Sequence, residues 1–450
     1  MNPSLLWIEE FRRLSQSAIE SLNPDESLGL TLAAEDQDYV RFNRGRTRQT
    51  THVTQQRITL DFRLRGKRLV LAFDRSGRME DDRSRMAVML ERAREECRCL
   101  PEDPYLSAFE HQGSSDSAHS GKLPSAGVVS ELIFKTSKEM DLAGLYAGGV
   151  QVRASTNSAG TFHSYASESF FLDYSLYTVN SDGENKAVKG LHAGNDFEES
   201  EWLFALDQSA AQLHPLKKKN KIVPRGHYRV YLAPQAVEAL TGMLSWGALS
   251  HGAYRRGESA LERLASGEQS LSPLFSLKEN FALGLSPRFN AAGVMSPESL
   301  PLIEQGKLQS FLINERTARE YGIAANGANV AEGMRSPEIT NGTLETVNIL
   351  KSLGTGLYLG NLHYLNWSER KTARLTGMTR YACFWVENGE LIAPIQDLRF
   401  DESLYRIFGS ELESIGQESL RLPETDSYEA RALGGCKVPG MLLRDFRFTL

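Results

Sequence analysis

"RITLDFRLRGKRLVLAFD", residues 57–74, alternates apolar side chains at Ile58, Leu60, Phe62 and Leu64, turns at Arg65-Gly66, and returns through Leu69, Leu71 and Phe73. Period-two patterning around a Gly-containing turn is the signature of a hairpin with one buried face. The stretch therefore fixes a sheet in the first half of the chain. Upstream, "LGLTLAAED" (28–36) and "DYVRFNRGRTRQTT" (38–51) read as further strands. Downstream, "EDDRSRMAVMLERAREECRCL" (80–100) sets Met86, Met89, Leu90 and Ala93 at helical spacing. Helix and strand thus alternate over residues 1–105, an α/β segment that opens on the amphipathic "MNPSLLWIEEFRRLSQSAIESL".

Further along, "HQGSSDSAHSGKLPSAG" (111–127) is rich in Ser and Gly with no apolar face, so residues 106–127 read as a linker or surface loop. Residues 128–216 complete the N-terminal half. There, "GLYAGGVQVRASTNSAGTFHSYASESFFLDYSLYTV" (144–179) gives two long strands around Asn157–Gly160. "DFEESEWLFALDQSAAQLHPL" (196–216) gives a helix capped by Asn195 or Asp196. The charged, Pro/Gly-bounded "KKKNKIVPRG" (217–226) marks the domain boundary. Residues 227–450 open with the strand "HYRVYLAP" and helices, then turn strand-rich, with hairpins around Gln305-Gly306 and Asn388-Gly389. The fold class is α+β, with an α/β N-terminal half and a mostly antiparallel C-terminal half.

Composition bounds the function. A chain of 450 residues, 41% hydrophobic and 24% charged, is that of a soluble protein with more than one domain. A formal charge of −6, with no zinc finger, helix-turn-helix or RNP pattern, excludes a general nucleic-acid binder. No apolar run is long enough to span a membrane. Glu9, Glu10, Arg12 and Arg13 stand where a signal peptide needs an apolar core, so a cytoplasmic location is expected. Cys97, Cys99, Cys383 and Cys436 are too few for a disulfide framework and read as reduced thiols. Between Arg41 and Arg68 stand Arg44, Arg46, Arg48, Arg57, Arg63, Arg65 and Lys67 against one acid, Asp61. Arg44, Arg46 and Arg48 would share a strand face, as a grip for phosphates or acidic peptide or, the favoured reading, as a polar outer face. His163 lies among serines, but no G-x-S-x-G marks a hydrolase nucleophile.

"LSWGALSHGAYRRGESALERL" (244–264) reads as a helix that packs Leu244, Trp246, Leu249, Leu261 and Leu264 inward. It gathers His251, Tyr254, Arg255, Arg256 and Glu258. Metal-hydrolase helices space His, Glu and His closely, yet His251 is followed by Gly252. His251, Arg255 and Arg256 either line a cavity that holds a peptide carboxylate or carbonyl, or form a solvated face.

Five stretches, in order, resemble the TldD/PmbA (modulator of DNA gyrase) family. They are "DYVRFNRGRTRQT", "FNAAGVMSPESLPLIEQGKLQSFLINERTAREYG" (289–322), "ANGANVAEGMRSPEITNGTLE" (325–345), "GLYLGNLHYLNWSERKTARLTGMTRYACFWVENGELIAPIQDL" (356–398) and "VPGMLLRDFRFTL" (438–450). The resemblance implies a β-barrel-like C-terminal domain. It also implies that a TldD-type chain, carrying His-Glu-x-x-x-His and a later cysteine, pairs with a PmbA/TldE-type chain that lacks them. The pair acts on unfolded or peptide-like substrates. Carried onto this chain, His251 takes the first ligand position, Gly252 the general base and Arg256 the second ligand. A guanidinium stays protonated and cannot ligate zinc. Cys436 stands in "GGCKVPG", outside the family's Cys-Gly-Lys context. His251, Gly252 and Arg256 are therefore degenerate metal-site positions in a PmbA/TldE-like metallopeptidase-family chain without its own catalytic site. Arg255, Glu258, Arg335 and Asn341 are candidates for the substrate cleft. The expected function is a metal-free subunit that shapes the proteolytic cavity of a zinc-binding, TldD-like partner, with no cofactor of its own and no contact with nucleic acid or membrane. The alternatives are a stand-alone peptidase using a composite His251/Glu258/Cys436 site or no metal, and a non-catalytic homodimer that binds peptides.

Overall fold

The computed structural model describes residues 3–449. The N-terminal half runs α1 (Pro3–Glu20), β1 (Glu26–Asn43), β2 (Arg46–Leu64), β3 (Lys67–Asp74), α2 (Met79–Cys97) and β4 (Ser114–His119). It continues through α3 (Ala126–Thr136), β5 (Asp141–Asn157), β6 (Phe162–Val179), β7 (Asn185–Gly194) and α4 (Glu199–Leu216). The strands make one sheet in the order β3-β2-β1-β5-β6-β4, with β7 branching from β6. The β2–β3 turn has Arg65 at φ 49° and Gly66 at φ 77°, the two left-handed positions that a tight hairpin needs.

Alternation gives this sheet two different faces. Leu28, Leu30, Ile58, Leu60 and Phe62 pack under α1 and α2 around Phe11 and Leu90. On the same face farther along the strands, Tyr146, Phe170 and Tyr174 pack under α3 and α4 around Ile133 and Trp202. All four helices sit on one side. The opposite side is turned toward the C-terminal half.

That half contains β8 (Gly226–Leu232), α5 (Pro234–Ser245), α6 (His251–Arg255), α7 (Glu262–Ala265), β9 (Leu277–Asn280), β10 (Ser299–Glu304), β11 (Lys307–Leu308) and α8 (Glu315–Tyr321). It ends with β12 (Pro337–Ile339), α9 (Ile349–Leu353), β13 (Gly356–Glu369), β14 (Arg374–Glu387), β15 (Glu390–Pro394), β16 (Arg399–Ser403), β17 (Leu412–Pro423) and β18 (Gly435–Phe448). Strand β8 pairs with both β13 and β18, which closes β18-β16-β14-β13-β8 into a ring. Other strands branch from it, so the sheet is ring-like rather than a simple barrel. The α+β class holds.

Local readings differ from the structure in four places. Residues 114–119, inside the stretch read as linker, form β4 and pair in parallel with β6; the strand is polar because it is an edge with little buried surface. Residues 38–51 are not one strand, since Arg44 (φ 52°) and Gly45 (φ 64°) make the β1–β2 turn and take Arg44 off the face of Arg46 and Arg48. Neither Asn195 nor Asp196 caps α4: Asn195 donates to the Glu168 carbonyl, and Asp196 accepts from Lys122 N. The 244–264 stretch is three short helical pieces, with left-handed Gly247 (φ 81°) and Gly257 (φ 70°) between them. Leu244, Leu249, Leu261 and Leu264 are buried as expected, but Trp246 falls in the first break and is 52% exposed. The four cysteines are free. Among the described residues no helix is long and apolar enough to cross a membrane.

Candidate functional site

Between the helix-free face of the first sheet and the loops of the C-terminal half lies a cleft of about 1340 Å³. Its sheet wall presents Gly29, Thr31, Thr59, Asp61, Arg63, Arg68 and Val70. These residues share the face opposite Leu30 and Leu60, as the pairing of Gly29 with Asp61 and Asp61 with Val70 requires. Asp61 holds Arg63 at 2.7 Å and Arg68 at 2.9 Å, so two guanidiniums share one carboxylate.

The segment 103–112 crosses the cleft as a strap. Asp103 pairs with Arg316 of α8 at 3.2 Å, and Ser107 Oγ donates to the Glu315 carbonyl at 3.1 Å. On the other side Arg63 donates to the Ser107 carbonyl and stacks 3.6 Å from the ring centre of Phe109. Phe109 lies over Gly29, where a Cβ would come within 2.6 Å of the ring. A side chain at residue 29 would push the ring aside.

The far wall is built from α6, α8 and the loop before β12. Asn314 caps α8 by accepting from Thr317 N at 2.8 Å. Glu315 faces the cleft and accepts from Asn290 Nδ2 at 2.9 Å; burial raises its carboxyl above the ordinary range. Glu332 is buried at φ 51°, a left-handed conformation that costs a non-glycine residue energy and persists only where surroundings fix it. Its Oε2 accepts from Ser250 Oγ at 2.6 Å and from Gly252 N at 2.9 Å, and its Oε1 accepts from Asn314 N at 2.9 Å. One carboxylate thus ties the start of α6 to the start of α8.

Of the degenerate metal-site positions, Gly252 and Arg256 line the cleft. A Cβ on Gly252 would stand 3.2 Å from each of Arg256 Nη1, Glu332 Oε2 and Thr317 Oγ1. The space into which a base at 252 would project is already filled. His251 lies in a box of Tyr254, Phe311 and Tyr321, with ring centres 5.6 to 5.9 Å away. Its Nε2 is buried without a partner, and burial lowers its pKa.

The other candidates scatter. Arg255 stacks 4.4 Å over Tyr321, and Glu258 pairs with Arg256 Nε at 3.0 Å. Neither lines the cleft. Arg335 is a staple outside it: Nη1 donates to the carbonyls of Pro287 (3.2 Å) and Phe289 (3.0 Å), and Nη2 to Ser296 Oγ (2.7 Å) and the Gly327 carbonyl (3.1 Å). Asn341 joins its loop to β17 through the Gln417 carbonyl at 2.8 Å. Cys436 is buried on β18, where burial and the charges of Glu238 and Glu424 push its thiol pKa up, the opposite of what a metal ligand needs. Among the described residues no three His, Cys, Asp or Glu side chains group so as to hold a metal ion, and the His251/Glu258/Cys436 combination is not assembled. The donor set here does not fit a catalytic zinc. The basic stripe also divides, with Arg63 and Arg68 in the cleft, Arg57 on Asp74, Arg65 on Asp25, and Arg41, Arg46 and Arg48 exposed near the β1–β2 turn.

Glu332, Glu315, Asn290 and the strap were not singled out from the sequence. Glu332 carries one local signal, an acid set beside Gly333 in a Gly-rich loop; the strap carries none.

Fold and site together define a two-sheet α+β protein with a polar cleft between its halves. Residues 225–450 match the PmbA/TldA metallopeptidase C-terminal domain, and the chain belongs to that family. It is 29% identical over 257 residues to the metalloprotease PmbA of Escherichia coli O157:H7, covering 55% of this chain and 54% of the relative. It is 26% identical over 263 residues to a metalloprotease PmbA homolog of Haemophilus influenzae, with the same shares of 55% and 54%. The chain thus matches about half the length of these curated relatives. In fold it is similar to TldE from Thermococcus kodakarensis, with a TM-score of 0.76 at 13% identity over 98% of this chain and 100% of that one. A chain described as a modulator of a DNA gyrase from Thermotoga maritima gives 0.75 at 16% identity, over 98% and 99%.

Proposed function

We propose that this chain is the metal-free subunit of a TldD/TldE-type metalloprotease pair, shaping the cavity in which a zinc-binding partner cleaves unfolded polypeptide. One observation carries the reading: the positions of base and second ligand hold Gly252 and Arg256, and Glu332 and Thr317 close the space a base would need. Zinc then belongs to the partner chain alone. The four free thiols suit a reducing, cytoplasmic compartment. The cleft receives extended peptide between the sheet wall and α8.

The test is a complementation assay. Purified chain is analysed for zinc by elemental analysis and assayed on an unfolded polypeptide, alone and mixed with a His-Glu-x-x-x-His chain from the same genome. Chelator-sensitive cleavage by the mixture, with near-zero zinc in this chain, is the expected result. Stoichiometric zinc and chelator-sensitive cleavage by this chain alone would overturn it.

A further inference from the structure

The two departures from the metal-binding pattern act together. Arg256 leaves α6 at its C-terminal cap and folds back so that Nη1 lies 3.2 Å from where a Cβ on Gly252 would stand. With no Cβ, glycine at 252 lets Nη1 approach this closely. The Arg256 side chain has a single hydrogen bond, from Nε to Glu258 at the rim, with the two side chains 56% and 52% exposed. Neither Nη group has a protein acceptor among the described residues. Glu332, whose Oε2 lies 3.2 Å from the same Cβ position, makes no ion pair with Arg256 and accepts instead from Ser250, Gly252 and Asn314. Arg319, on the same wall of the cleft, has no ion-pair partner among the described residues. The cleft is therefore lined by a planar guanidinium fork whose Nη groups have no protein acceptor among the described residues, and also by Arg319. That geometry matches a carboxylate held through two parallel hydrogen bonds.

The geometry points to a carboxylate-binding subsite in the cleft, in which Arg256, given room by Gly252 and assisted by Arg319, holds the free C-terminal carboxylate of an extended peptide. The inference rests on the peptide-binding reading of the cleft and adds an anchor to it. The chain would set where a peptide end lies, while the partner cuts inward from it. An aspartate or glutamate side chain offers the same chemistry, so the test separates the two sources.

The experiment measures fluorescence anisotropy of N-terminally labelled, unstructured peptides with the full chain. Three probes share one sequence free of Asp and Glu: the free acid, its C-terminal amide, and an amide with one internal glutamate. The free acid binds more tightly than the plain amide by about tenfold or more, the scale of charge-assisted hydrogen bonds. Arg256→Gln removes that difference, Arg256→Lys restores part of it, and Arg319→Gln reduces it. Gly252→Ala, which crowds Nη1 as well as Glu332 Oε2 and Thr317 Oγ1, weakens binding of the free acid. Equal binding of acid and plain amide, or a difference that survives Arg256→Gln, overturns the subsite and leaves the peptide-binding cleft standing. Tighter binding of the glutamate amide than of the free acid overturns the terminal assignment in favour of a side-chain one. Binding of none of the probes overturns the cleft reading and the subsite with it, whatever the complementation assay reports on the partner.

Discussion

Two arginines stand at the junction of the halves, and they are used in opposite ways. Arg431, in the loop between β17 and β18, is 3% exposed and reaches into the first sheet. Its guanidinium donates to Gln37 Oε1 (3.1 Å), the Ser169 carbonyl (2.6 Å) and Ser169 Oγ (3.0 Å), and lies 5.2 Å over Phe171. Its own N–H donates to Glu35 at 2.9 Å, and its carbonyl accepts from Gln151 at 2.6 Å. Burial lowers its pKa to about 10, still well above neutrality. Arg256 is half exposed, with one ion pair and no acceptor inside the cleft. A guanidinium whose Nη groups are both held by acceptors is a fastener, and one whose Nη groups have none is a receptor. The surroundings make the difference, not the residue type.

The largest effect expected from this contrast follows Arg431→Ala. It leaves Gln37 Oε1, the Ser169 carbonyl and Ser169 Oγ without their donor, while the backbone N–H of residue 431 keeps its bond to Glu35, and such losses cost about 3 kcal/mol or more. Urea unfolding followed by tryptophan fluorescence measures it. A loss under about 1 kcal/mol would erase the distinction between the two arginines.

Next comes a pH effect at the same junction. Glu238 of α5 is largely buried, facing Glu424, Asp173, Lys189 and Cys436; burial first, then the neighbouring Glu424 and Asp173 charges, raises its carboxyl to about 7. The folded state then holds a proton that the unfolded chain releases near the ordinary value of 4.5. Stability from this group is fully present below that value and is lost as pH rises through about 7. The loss between pH 5 and 8 amounts to roughly 3 kcal/mol at most. Glu238→Gln removes the slope, so the melting temperatures of variant and parent should diverge toward pH 8. Parallel curves from pH 5 to 8 would show that Glu238 titrates normally.

What the sequence made legible follows from what is local. The alternation of Ile58, Leu60 and Phe62 fixed the buried face of β2, and with it the opposite face that lines the cleft. The turns at Arg65-Gly66 and Asn388-Gly389 were equally plain, because left-handed positions select those residues. The breaks around α6 were missed because apolar spacing continued through Gly247 and Gly257, and backbone conformation prevailed over pattern. Glu332 was invisible for another reason: its partners Ser250 and Gly252 lie about eighty residues away, and no periodicity reports such a contact. The family resemblance of its loop suggests Arg335 for the cleft, whereas its guanidinium is enclosed by carbonyls that only the fold brings together.

Glu332 also gives the third prediction. Glu332→Ala leaves Ser250 Oγ and the N–H groups of Gly252 and Asn314 without their acceptor and loosens α6 against α8. A stability loss of about 2 kcal/mol is expected, since alanine removes the acceptor but keeps the Cβ and with it the strained φ of 51°. Hydrogen exchange at residues 250–256 reports the loosening directly. Unchanged protection there would mean that packing alone places α6.

The smallest expected effect lies at the other arginine. The Arg256–Glu258 pair joins two side chains that are 56% and 52% exposed, so Glu258→Ala should shift stability by less than about 1 kcal/mol. Its effect on binding has the opposite sign. Removing the rim carboxylate leaves Arg256 uncompensated, so a free-acid peptide should bind slightly tighter to Glu258→Ala than to the parent at low salt. Screening at high ionic strength should abolish that gain, since both charges are in contact with water. Weaker binding by the variant would mean that Glu258 holds the guanidinium plane in place through Nε, making it a positioning residue rather than a competitor. Either sign distinguishes this pair from Arg431, whose side chain is buried and whose contribution salt should leave unchanged.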